Sequence, residues 1–270
     1  MRIANQLWAF VRRDYRLASA SRLTLAWQLA TVLFAAPTMY YLGRLIQPVS
    51  SPDLQPYGGD YFAFVIVGLA FSGFFSAMMH AWATGIRNEH LGGTLDAVLV
   101  SPVSLLTVAM GASLWGTLVA AVQTLVYLLV GRAMFHLSFG HVNPASLVVA
   151  ALITMVVFAS LGMISAALIL LLRSGDALTG VLAGMSMLLA GVFYPTTVLS
   201  PALQRVAQWV PLTHALQALR LALLTGAGIS ALWEEIVTLV LFAFLLAPLA
   251  VFVLHAALNA ARRSGIIVEH

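Results

Sequence analysis

The chain has 270 residues, of which 61% are hydrophobic and only 8% charged. Soluble domains carry about 25% charged residues, so this composition excludes a soluble globule and points to a membrane. All thirteen basic residues are arginine, so no ordinary phosphate-binding P-loop with its lysine is present; the lack of cysteine removes disulfides, thiolate metal sites and cysteine nucleophiles. The net charge of +4 gathers at the ends of apolar runs. Anionic headgroups account for it there, and no nucleic-acid partner is implied.

Residues 1–22 read as an amphipathic helix lying in the membrane interface. Arg2, Asn5, Gln6, Arg12, Arg13, Arg16 and Ser19 fall on one arc; Ile3, Leu7, Trp8, Phe10, Val11, Tyr15 and Leu17 fall on the other. Asp14 lands on the apolar arc, where pairing with a neighbouring arginine or a partner inside the bundle would answer its charge. This start is not read as a cleavable signal, because the apolar run behind it is far longer than a signal core.

The first span is expected over 23–46, with a bend at Pro37, and is followed by a loop rich in proline and glycine. The second is expected over 61–86, where Gly68 and Gly73 would admit a close neighbour. Arg87 to Pro102 is the charged, glycine-bearing interruption between two long apolar runs. Leu91, Leu95, Val98 and Leu99 share one side, which fits a short amphipathic helix on one membrane face; an ordinary connecting loop is the alternative.

Further spans are expected over 104–131, 144–172, 177–195 and 236–260. Between the last two, Ser200-Pro201 reads as a helix start with serine as cap, and Pro211 divides residues 200–226 into two short helices. Neither half is long enough to cross. They are expected to dip in and return, which protein or a wet cavity must make tolerable. Six spans put Arg2, Arg12, Arg13, Arg16, Arg22, Arg87, Arg173, Arg262 and Arg263 on one side, leaving Arg44, Arg132, Arg205 and Arg220 on the other. The positive-inside rule then places both termini and the 87–102 segment in the cytoplasm.

His80, within the second span, is expected to hydrogen-bond in the bundle or near the interface, with a substrate contact as the alternative. His136 and His141 lack a third ligand at metal spacing, so no metal site is expected. His214 and Arg220 are either polar contacts of the outer helices or solvated surface groups. The spans hold no paired carboxylates and no Ser-His-Asp set, which disfavours an intramembrane enzyme and a proton-coupled transporter. A non-transporting scaffold is the other rival.

Two sets of residues carry a family resemblance. Glu89, Gly93, Thr94, Leu95, Asp96, Leu99, Ser101 and Pro102 match an acidic, Gly-Thr-Leu-acidic and Ser-Pro pattern after the second span. Gly191, Phe193, Tyr194, Pro195, Pro201, Leu203, Pro211, Leu212, Leu219 and Arg220 match a second pattern after the fifth. The chain resembles the permease subunits of type-2 ABC exporters, the family of drug, Nod-factor and polysaccharide export permeases.

The resemblance implies an all-α integral membrane fold: six spans, an N-terminal interface helix, a cytoplasmic coupling helix and two re-entrant outer helices. It implies a non-hydrolytic subunit in a bacterial or archaeal plasma membrane, pairing with a second permease copy or paralogue and with two cytoplasmic ATPase subunits that hold ATP and Mg. Arg87, Glu89, His90, Leu91, Thr94, Leu95 and Asp96 would contact the ATPase. Arg12, Arg13, Asp14 and Arg16 on the interface helix would add a second contact. Tyr194, Pro195, Trp209, His214 and Arg220 would belong to the outer gate. The apolar, nearly uncharged walls point to a drug, lipid or lipid-linked glycan as cargo.

Overall fold

The computed structural model describes residues 2–19, 22–46, 52–91, 105–135, 142–172 and 175–263. All regular structure among them is helical. The long helices are α1 (Arg2–Ser19), α2 (Arg22–Ile46), α3 (Tyr61–Leu91), α4 (Leu105–Phe135), α5 (Pro144–Leu172), α6 (Gly175–Leu189) and α9 (Trp233–Arg263). Short helices α7 (Pro201–Ala207) and α8 (Pro211–Arg220) lie between α6 and α9, and α8 runs into a π-helical turn, Leu221–Thr225.

Four of these helices contain stretches long and apolar enough to cross a membrane: Tyr61–Thr84, Ser113–Phe135, Pro144–Ile169 and Trp233–Ala257. At 15 residues, α6 is about 22 Å long, short of the roughly 30 Å hydrocarbon core. The expected fifth span, 177–195, therefore ends early. Its helix stops at Leu189 and Gly191 follows in the left-handed region at φ 71°, where a residue with a Cβ is strained. The expected second span runs the other way, continuing past Ile86 to Leu91 without a break.

The helix α3 is the axis of the molecule. In its spanning stretch 72% is buried, against 17% in α4 and α9, and it packs along α4 and α5. Phe64, Ile66, Phe75 and Met78 are fully enclosed. In lipid, burying such side chains gains little hydrophobic free energy, because acyl chains are equally apolar; close packing and interhelical hydrogen bonds do the work. Close packing is visible where Gly162 of α5 meets α3, since a Cβ there would stand 2.6 Å from Trp82 Cβ and 2.9 Å from the Met79 carbonyl. An interhelical bond joins Thr124 Oγ1 of α4 to the Ala70 carbonyl of α3 at 3.1 Å.

Contacts between helix ends order the bundle. Tyr40 near the end of α2 meets Phe62 at the start of α3 edge to face and packs at a tilt against Phe135 at the end of α4, which also touches Phe62. Asn143, just before α5, donates its N–H to Ala222 in the π-helical turn, which leads on to α9. The segment after α6 meets the start of α3 through Arg220. One end of the bundle thus collects the ends of α2, α4 and α6, the starts of α3, α5 and α9, and the short helices. We call it the gate end, after the residues expected to form an outer gate, which it holds.

At the opposite end, α1 lies against α4. Phe10 occupies the space that Gly111 leaves open, where a Cβ would come within 2.5 Å of the ring, and Tyr15 meets Trp115 edge to face. Arg12, Arg13 and Arg16 are exposed. Asp14 accepts from Arg13 Nε at 2.8 Å, so its charge is answered on α1 itself.

Candidate functional site

The gate end is built around a buried arginine. Pro211 opens α8 with no N–H to leave unpaired, and the helix places Leu212, Leu216 and Leu219 in the core. Arg220, at its last position, follows them inward and is only 3% exposed. Its Nε donates to the Phe64 carbonyl at 3.1 Å, Nη1 to Gly191 at 3.0 Å and Nη2 to Val192 at 2.9 Å. The guanidinium also stands 3.5 Å from the centre of the Phe64 ring.

Three chain segments are therefore joined by one side chain: α3, the turn after α6, and α8. A planar fork suits this task, since its donors point in fixed, separate directions. Two glycines make room. Gly191 turns the chain so that consecutive carbonyls face the fork, and a Cβ at Gly68 would collide with Arg220 Nη2 and stand 2.6 Å from the Val192 carbonyl. Gly73, the second glycine expected to admit a neighbour, has no atom within 4 Å of its Cβ position and borders open space instead.

His214 and Arg220 do not act together. Six residues apart on one helix, they point to different neighbours. His214 Nδ1 meets Glu235 Oε2 of α9 at 2.5 Å, and Nε2 meets the Gln208 carbonyl at 2.9 Å. Burial pushes the His214 pKa down, but the bonds to Glu235 and Gln208 and the Glu235 charge outweigh it and hold the imidazole above its ordinary 6.5. Neither residue is a plain solvated surface group.

The rest of the gate end is tied by side chains bonding to backbone. Thr213 Oγ1 donates to Ala207 and Tyr194 Oη to Leu188, while Gln204 Nε2 reaches both Thr197 and Leu199. Pro195 is buried in this turn. Trp209 is 80% exposed. Ser200 occupies the N-cap position of α7, as expected, but its hydroxyl makes no capping bond.

A cavity of about 790 Å³ opens between α7, α8 and the first half of α9. Its polar rim includes Gln204, Gln208, His214, Gln217, Glu234 and Glu235; Leu241, Phe242, Phe244 and Leu245 line its apolar part. A smaller cavity of about 240 Å³ lies beside α3 and α4, with Ser72, Ser76, Gln123, Thr124 and Tyr127 among its walls. His80 is exposed on α3 and bonds through Nδ1 to the Ser76 carbonyl of its own helix.

Of the expected ATPase contacts, Arg87, Glu89, His90 and Leu91 form the last part of α3. Thr94, Leu95 and Asp96 lie outside the described residues, as do His136 and His141. Sequence reasoning missed Glu234 and Glu235. The available signal was two adjacent carboxylates opening the last apolar helix, in a chain where acids are rare.

Residues 5–224 match the family model for the ABC-2 type transporter. The chain belongs to the ABC-2 type transporter family. No characterised protein matches the chain closely enough to count as a relative. As a member of this family, the ABC-2 permease is a multi-pass membrane subunit of an ABC transporter, and ATP hydrolysis falls to a partner ABC ATPase. The gate-end elements up to the π-helical turn fall within the matched residues, and α9 begins after them.

Proposed function

We propose that this ABC-2 permease is the membrane half of an exporter that moves an amphipathic or lipid-linked molecule out of the cytoplasm or inner leaflet. Two permease copies pair with two cytoplasmic ATPase subunits, which hold the ATP and Mg, in a bacterial or archaeal plasma membrane. Six segments cross: the helices α2, α3, α4, α5 and α9, and α6 together with the turn that follows it to Pro195, with both termini in the cytoplasm. The alternation of their ends between the two poles of the bundle supports this count, as does the excess of arginine at the α1 pole.

One observation carries the reading. The helix α3 is a single rod of 31 residues, about 46 Å long, with Arg87, Glu89, His90 and Leu91 at one end and the carbonyl that Arg220 grips near the other. ATP-driven closure of the motor acts on the Arg87–Asp96 lever and tilts α3 as a rigid body. Because Arg220 clamps α3 to the turn after α6 and to α8, the tilt reaches Tyr194, Pro195, Trp209 and His214 at the outer gate. Arg12, Arg13, Asp14 and Arg16 on α1 give the motor its second contact. ATP does work here only through its higher affinity for the closed ATPase pair.

The small cavity beside α3, whose walls hold hydroxyl and amide groups but no fixed charge, supports an amphipathic cargo over an ionic one. Pairing of two copies fits the face of α6, where Gly180 and Gly184 stand in open space beside exposed Val181, Met185 and Leu188. The test begins with affinity purification of the tagged chain from native membranes, which should retrieve an ABC ATPase. In the reconstituted complex, Glu89→Ala with Leu95→Ala should leave hydrolysis running while export is lost. Normal export by that double variant would remove the lever from the mechanism.

A further inference from the structure

The cavity between α7, α8 and α9 differs in charge from the rest of the chain. The protein carries thirteen arginines, yet among the described residues none lines this cavity, whose ionisable groups are Glu234, Glu235 and His214. Glu235 is answered by His214. Glu234, among the described residues, has no side-chain hydrogen bond or ion pair and is exposed at the rim. With His214 protonated the His214–Glu235 pair is neutral as a unit, which leaves the Glu234 carboxylate at the cavity mouth without a cationic partner among the described residues. Both carboxylates stand in the first turn of α9, where the helix dipole favours negative groups.

Depth along α9 sorts the walls. Glu234, Glu235 and Thr238 come first; Leu241, Phe242, Phe244 and Leu245 follow, reaching about 15 Å below Glu235 at 1.5 Å per residue. Trp209 and Phe244, each 80% exposed, present open aromatic rings. Gln204 spends its amide donor on two backbone carbonyls, so its oxygen is what remains to offer. The available groups near the mouth thus favour a donor-bearing cation: a carboxylate, an amide oxygen and the π-face of Trp209. A volume of about 790 Å³ lies within the usual range for sites that enclose small organic ligands.

We infer that this cavity is a binding site for an amphiphile with a cationic ammonium headgroup, its head at Glu234 and its apolar tail along Leu241–Leu245. The inference does not depend on the direction of transport or on the ATPase. Such a molecule has two sources: a resident membrane amphiphile, or cargo on its way out. The test uses the full chain in phosphatidylcholine nanodiscs and radiolabelled dodecylamine, with empty nanodiscs as the partition control. Saturable binding of one dodecylamine per chain is expected, with dodecanol and dodecanoate competing at least about tenfold more weakly, the worth of one charge-assisted hydrogen bond.

Glu234→Gln should weaken dodecylamine binding by a similar factor while leaving the weak dodecanol competition unchanged. Leu245→Asp should weaken both, because it places a charge in the tail channel. Non-saturable uptake, equal competition by dodecanoate, or unaltered binding to a folded Glu234→Gln chain overturns the inference. In the complex with its ATPase, loss of bound dodecylamine on adding ATP identifies cargo, and retention identifies a resident amphiphile; either result requires the site. Failure to bind leaves the exporter reading intact, and failure to retrieve an ATPase leaves the binding result intact.

Discussion

Replacing Arg220 by methionine tests whether one buried cation holds the gate end together. Methionine keeps much of the length and all of the apolar stem but removes every donor. The Phe64 carbonyl lies inside α3 and keeps a helical position, whereas Gly191 and Val192 lie in a turn and lose the partner that Arg220 supplied. Two buried carbonyls left unpaired cost about 1–3 kcal/mol each, so the variant should lose roughly 2–6 kcal/mol. For a chain of this size that corresponds to a fall in Tm on the order of 10 °C. Thermal unfolding in mild detergent, followed by tryptophan emission, reads it directly.

Lysine at the same position should recover only part of the loss, because its donors radiate from one atom and do not span three carbonyls. The companion change is Gly68→Ala. Its Cβ would strike the guanidinium and stand 2.6 Å from the Val192 carbonyl, an overpacking cost of roughly 1–3 kcal/mol. With Arg220 already replaced, half of that collision is gone, so the double variant should be more stable than the sum of the singles implies. Strict additivity, or an Arg220→Met chain melting within about 1 °C of wild type against the shift estimated above, would refute the clamp.

Two further outcomes follow from other contacts. Gly111→Val should expel Phe10 from its notch and free α1 from α4, measured as faster proteolysis within residues 2–19 with little change in the bundle; unchanged protection would mean α1 is held elsewhere. The His214–Glu235 pair should make stability fall as pH rises. Since folding raises the His214 pKa, its contribution is full below 6.5 and is lost as pH climbs through the higher folded value. For a partly buried pair the effect is on the order of 1 kcal/mol, so wild type should exceed His214→Gln in acid and converge with it in alkali. Parallel melting curves across that range would show that the pair adds nothing.

The solvent and the building blocks could be read from the residues without coordinates. Apolar runs of span length, the scarcity of charge and the prolines at 144, 201 and 211 place helices in a membrane, because backbone groups in hydrocarbon must be paired within the segment. The observed starts of α5, α7 and α8 follow those prolines. Helix ends were less legible: Ile86 looked like a boundary on charge alone, yet helical hydrogen bonding carries α3 to Leu91, through a segment in which Arg87, Glu89 and Leu91 are good helix formers.

Tertiary structure alone decided the partners. Periodicity says which side of α8 carries Arg220, but not that carbonyls 28, 29 and 156 positions away converge on it, nor that Gly68 clears the space. The same holds for His214 and Glu235, and for Phe10 with Gly111. A side chain's face is set by its own few neighbours in the helix, whereas what that face meets depends on how distant segments pack.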